Sequence, residues 1–112
     1  MKLRIRALDF ELTPALHNHV DRRLRFALAR FSSRLQQVTV HLSDLNGPRG
    51  GADKQCLCLA EATALPTLVI REHGDDLYAA VDRAVDRLGR NLARAIERLE
   101  RGRRARIHGL EE

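Results

Sequence analysis

The stretch from Leu77 to Leu99 constrains this chain more than any other. Leu77, Val81, Val85, Leu88, Leu92, Ile96 and Leu99 follow one another at spacings of 4, 4, 3, 4, 4 and 3 residues. That is the unbroken apolar stripe of an amphipathic helix. On a wheel of ~100° per residue the stripe centres near ~50° from Leu77. Arg83, Arg87, Arg90, Arg94, Arg98 and Arg101 fall between ~220° and ~300° on the same wheel. Such a helix docks one side on an apolar surface and holds a ladder of guanidinium groups toward solvent. Successive rungs rise about 5–6 Å, close to the phosphate spacing along a nucleic-acid strand. The planar fork of Arg grips phosphate with two bonds and stacks on bases. Gly102 is a suitable C-cap, so the spacing predicts a helix of about seven turns that ends there.

The charge of the whole chain is concentrated on this helix. Residues 83–106 carry nine Arg against Asp86, Glu97 and Glu100, a net +6 on a chain whose total is only +5. Of the 20 Lys and Arg residues, all but Lys2 and Lys54 are Arg. An ordinary solvated helix face also collects charged residues, and Asp86–Arg90 and Glu97–Arg101 stand at pairing distance i,i+4. Yet such a face mixes both signs, whereas here the acids keep to the flank, which favours a polyanion-binding surface. The first predicted helix adds Arg22, Arg23, Arg25 and Arg30, with Arg34 just after it. These are spread around the wheel and give a weaker signal.

The rest of the chain reads as one α+β domain. With 112 residues and 44% hydrophobic content there is room for a single core and no second domain. Leu3, Ile5 and Ala7 alternate with Lys2, Arg4 and Arg6, the period of a half-buried strand over residues 2–8. Thr13-Pro14 opens a helix that carries Leu16, Val20, Leu24, Ala27 and Phe31 to about residue 30–32. Strands follow over 37–43, 54–62 and 67–72, with turns at Asn46–Gly51 and Ala64–Pro66 and a helix cap at Gly74-Asp75-Asp76. The predicted order is β-α-β-β-β-α: a four-stranded sheet with two helices packed on one face. The domain is expected over residues 1–102, followed by a flexible tail over 103–112.

Several classes of function are disfavoured. No apolar run approaches the ~18 residues of a membrane span. The alternating N-terminus does not read as a secretory signal, so a cytoplasmic location is expected. Cys56 and Cys58 share one strand face, and buried small hydrophobes explain them better than a metal site, which needs further ligands. His17 and His19 lie ~200° apart on their helix and cannot converge on one ion. His41, His73 and His108 have no partner pattern and read as surface residues. No nucleophile elbow, P-loop or paired-carboxylate signature occurs, so neither enzymatic activity nor a cofactor is expected. The glycines of Asn46–Gly51 suit a phosphate-cradling loop with Arg49 as counter-charge, and suit a simple turn equally. The only aromatics are Phe10, Phe26, Phe31 and Tyr78. That is too few for a base-stacking sheet, so recognition by backbone and shape is the better reading.

One segment carries a family likeness. Asp76-Leu77-Tyr78-Ala79-Ala80-Val81-Asp82, followed by Asp86-Arg87-Leu88 and Arg90-Asn91-Leu92, resembles the ribosome hibernation promoting factors, also known as ribosome-associated inhibitors or sigma-54 modulation proteins. The KLRI opening, Leu12-Thr13-x-Ala15-Leu16 and Gln37-Val38-x-Val40 agree, and the likeness covers about residues 1–101. It implies the same β-α-β-β-β-α fold. It also implies a factor that sits between head and body of the small ribosomal subunit, overlaps the messenger and transfer-RNA paths, and stops translation under stress. The family's basic helix positions match Arg23, Arg87, Arg90, Arg94 and Arg98. The candidate RNA contacts are therefore Arg23, Arg30, Arg83, Arg87, Arg90, Arg94, Arg98 and Arg49. The NGPRGG loop and Asp53-Lys54-x-Cys56 mark a divergent branch. Ala95 and Glu100 replace family lysines. The chain corresponds to a short member without the dimerisation domain, so ribosome pairing would need a second factor. A protein-interaction regulator that sets the basic face against an acidic partner is the alternative.

Overall fold

The computed structural model describes residues 1–45 and 53–110. Its elements are β1 (Lys2–Ala7), α1 (Pro14–Leu28) continued by a 3-10 turn (Ala29–Phe31), β2 (Leu35–Asp44), β3 (Lys54–Ala62), β4 (Leu68–Gly74) and α2 (Leu77–Leu110). The sheet order is β1-β2-β3-β4. β1 runs parallel to β2, and the other two pairings are antiparallel. The expected α+β architecture is therefore present, with a mixed sheet. The Asn46–Gly51 loop and its Arg49 lie outside the described residues.

Both helices cover one face. Strand residues pointing to that face (Val38, Val40, Leu42, Cys56, Cys58, Ala60 and Ile70) are buried. So are Leu16, Val20, Leu24 and Leu28 of α1 and Val81, Val85, Leu88 and Leu92 of α2. α2 lies over β3 and β4, while α1 packs against α2 and β1. The alternation read from the sequence in β1 thus sorts inside from outside, and the same period holds along β3. Cys56 and Cys58 belong to this core, with their sulfurs 3.9 Å apart. The neighbouring Cys58 thiol and burial push the Cys56 thiol well above the usual range, which leaves it a poor nucleophile.

The caps are local and chemical. Thr13 Oγ1 accepts from Leu16 N at 3.2 Å, and Pro14 supplies a first residue with no amide to satisfy. Asp76 Oδ1 accepts from Tyr78 N at 2.9 Å at the head of α2.

Strand ends shift by one or two residues from the sequence reading, with β4 running to Gly74, and two departures have a physical cause. β2 starts at Leu35, because an irregularity between Leu35 and Gln37 lets Leu35 and Val38 both face the core despite their odd spacing. The helix does not end at Gly102, as its C-cap role predicted, but continues to Leu110. Arg103, Arg104, Ala105 and Arg106 are strong helix formers, and together they outweigh the ~1 kcal/mol that an interior glycine costs.

Gly89 is a second interior glycine of α2, buried, with nothing within 4 Å of where a Cβ would stand. Gly89→Ala should therefore stabilise the fold by about 0.5–1 kcal/mol. A urea titration checks this. A lower midpoint for the variant would show that the site needs its glycine.

Candidate nucleic-acid interface

The docked stripe fixes which way each α2 cation points, and neighbouring elements then divide the ladder into two parts. Arg83 and Arg87 lie on the flank that overhangs β4, the edge strand. Arg87 Nη1 stands 3.4 Å from Glu72 Oε2 and donates to Arg71 O at 2.9 Å. Arg83 Nε lies 3.9 Å from Glu72 Oε1, and its Nη2 donates to His73 O at 2.6 Å. Glu72 faces the helices, with only 20% of its side chain exposed, so one carboxylate holds both arginines. The two guanidinium groups also occupy outward carbonyls of the edge strand, which would otherwise be open to pairing with another chain. Gly74 makes room for this, since a Cβ there would meet Arg83 Nη2 at 2.8 Å.

On the opposite flank Arg23 joins the helices. Its Nε lies 3.1 Å from Asp82 Oδ1 and its Nη2 3.1 Å from Asp86 Oδ1. His19 Nε2 lies 2.8 Å from the same Asp82 oxygen, and its ring meets Tyr78 edge-on at 4.9 Å. Farther along the seam Arg34 meets Glu100 at 3.5 Å. The i,i+4 pair anticipated for Asp86 and Arg90 is thus replaced by a contact across the seam. Glu97 and Arg101 form no ion pair among the described residues.

What remains free is a row: Arg90, Arg94, Arg98 and Arg101 are exposed and make no side-chain hydrogen bond or ion pair with any described residue. They follow one another at 4, 4 and 3 residues, so their Cα atoms climb about 6, 6 and 4.5 Å in turn along the helix. Beyond Arg101 the helix carries Arg103, Arg104 and Arg106, all exposed. Arg30 is exposed at the end of α1, its guanidinium carbon 4.6 Å from the Phe31 ring centroid. Of the candidate residues named from the sequence, Arg90, Arg94 and Arg98 therefore form one unpaired line. Arg83, Arg87 and Arg23 are tied to carboxylates, and Arg30 stands apart on α1.

Unpaired guanidinium groups on a rigid helix hold polyanions without prior rearrangement, whereas pinned ones must first give up a partner. The sequence could not separate the two groups, because Glu72 lies more than ten residues before Arg83 and meets it only through the fold. Among the described residues no group of three or more His, Cys, Asp or Glu side chains is placed to hold a metal ion. No described helix is long and apolar enough to cross a membrane.

The division of the ladder has a measurable consequence. Arg87→Ala should lower unfolding stability by about 0.5–1 kcal/mol, since its pair is partly solvent-screened. Arg94→Ala should stay within about 0.5 kcal/mol of the parent. Equal losses in chemical denaturation would show that the two arginines are not in different states.

Known proteins share this fold. A ribosome hibernation promotion factor from a Picosynechococcus species is 34% identical over 101 residues, covering 88% of this chain and 50% of that protein. The chain thus spans about half the length of that relative. The N-terminal domain of Protein Y from Thermus thermophilus superimposes with a TM-score of 0.70 at 27% identity, over 84% of this chain and 98% of that domain. A ribosomal subunit interface protein from Coxiella burnetii has the same fold, with a TM-score of 0.70 at 15% identity over 84% of this chain and 96% of that one. The model of the Sigma 54 modulation protein / S30EA ribosomal protein family matches residues 3–100, and the chain belongs to that family of ribosome-associated factors.

Proposed function

We propose that this chain is a ribosome hibernation factor that binds the small ribosomal subunit through the exposed Arg face of α2, blocks the messenger and transfer-RNA path there, and inhibits translation under stress. The observation that carries the reading is the free row Arg90, Arg94, Arg98 and Arg101, presented on a helix whose other face is locked to the sheet. Family membership directs that row toward the ribosome rather than toward an arbitrary polyanion. Ribosomal RNA presents backbone phosphate on both walls of a cleft, and such contacts position a protein without reading sequence. No catalytic step is required: the protein acts by occupying space that the messenger and transfer RNA need. Residues 1–102 are the ribosome-binding unit in this account, working in the cytoplasm.

Gradient sedimentation tests the proposal. The protein should travel with purified small subunits at low salt and leave them as salt rises. Arg90→Glu, Arg94→Glu and Arg98→Glu combined should abolish co-sedimentation while leaving the unfolding midpoint nearly unchanged, because the three are exposed and make no side-chain hydrogen bond or ion pair with a described residue. Absence of the parent protein from the subunit peak at low salt would overturn the proposal. Full binding by the triple variant would move the site off α2.

A further inference from the structure

Phe26 is the most exposed large hydrophobic residue described, at 84%. The helix around it has an ordinary buried side, made by Leu16, Val20, Leu24 and Leu28. Phe26 lies ~140° from the centre of that stripe, so it adds nothing to the core. Single exposed apolar residues are common and by themselves mean little; the setting of this one is unusual. Arg22 stands four residues before it on α1, and Arg30 four residues after it in the 3-10 turn that continues the helix, with its guanidinium over the Phe31 ring; both are exposed. Arg22 makes no side-chain hydrogen bond or ion pair with a described residue. The nearby Arg25 is neutralised by Asp21 at 3.1 Å, which leaves Arg22 and Arg30 as neighbouring cations with no carboxylate partner among the described residues.

We infer that Phe26 is a stacking platform for an unpaired RNA base, with Arg22 and Arg30 holding the phosphates on either side of the stacked nucleotide. The inference deepens the RNA-binding reading above and rests on it. An exposed ring with an arginine four residues to either side in the chain fits a nucleotide, which brings a flat ring and flanking negative charge together. Charge also selects among occupants. A second copy of this chain would set Arg22 and Arg30 against their own like, and a neutral apolar partner would leave both cations unanswered. The site is placed to serve the same strand as α2. The pairs His19–Asp82, Arg23–Asp86 and Arg34–Glu100 show that the two helices run in the same direction. Phe26 therefore stands level with the start of the Arg90–Arg94 stretch on the neighbouring helix. Stacking on a ring is tolerant of base identity, so the platform adds affinity for an unpaired nucleotide without adding sequence readout.

The chain contains no Trp, so Phe26→Trp installs a single fluorescent reporter at the platform itself. Titration of that variant with a single-stranded oligouridylate at low salt should quench its emission, whereas an RNA duplex of equal length or polyglutamate should not. Phe26→Ala should weaken single-strand binding roughly 5- to 150-fold and leave duplex binding and the circular dichroism spectrum unchanged. Unaltered emission at saturating oligouridylate, or parent-like affinity of Phe26→Ala, would overturn the inference. So would equal quenching by polyglutamate, or an emission change that tracks protein concentration without RNA. Small-subunit sedimentation of the parent chain is run alongside. If the parent binds subunits and Phe26→Ala binds single strands equally well, the platform fails alone; if the parent binds no subunit, the ribosomal reading fails whatever the oligouridylate does.

Discussion

Docking of the α2 apolar stripe on β3 and β4 is the contact on which the rest of the molecule depends. Val81, Val85, Leu88 and Leu92 are wholly buried against the inner residues of the strands, and this fixes the rotation of the helix about its own axis. A helix that cannot roll must present its other residues at set angles. The Glu72 carboxylate and the Arg23 guanidinium then secure its two flanks, one to the edge strand and one to α1. Only the outermost cations stay unpaired, and they do so on a support that needs no ordering when a ligand arrives.

Charge is therefore used twice in the same helix. Arg83 and Arg87 act inward on the edge of the sheet, covering carbonyls that an exposed strand leaves open. Arg90, Arg94, Arg98 and Arg101 act outward. A count of nine arginines on the last stretch hides this division, because the fold consumes some of the cations before any partner is met. The family's ribosomal association fits the remainder, since an extended line of cations suits a phosphate backbone better than a compact acidic patch.

Much of this was legible in the residues. Strict alternation in β1 and β3 and the 4-4-3 spacing of α2 report burial directly, so the element order and the face covered by the helices follow from periodicity alone. Thr13-Pro14 and Asp76 announce helix starts through side-chain chemistry that acts within three residues. Features that depend on distant partners were not legible. The pairing of Asp86 with Arg23 rather than Arg90 needs the two helices side by side, and the hold of Glu72 on two arginines needs β4 beneath α2. Leu35 joins the core only through an irregular register that no two-residue period contains. Gly102 carried a stop signal that its strongly helix-forming successors override. Phe26 falls off the apolar stripe of its helical wheel, but a lone aromatic on a helix has no period or spacing that marks it as a binding group.

The claim that α2 has pinned and free arginines is tested most directly by the salt dependence of small-subunit binding, measured for single Arg→Ala variants. Each phosphate contact adds about 0.7–0.9 to the slope of log K against log salt. Arg90→Ala, Arg94→Ala and Arg98→Ala should each lower the slope by about that amount, while Arg83→Ala and Arg87→Ala leave it unchanged. Equal reductions across all five variants, or a slope unaltered by the first three, would contradict the account.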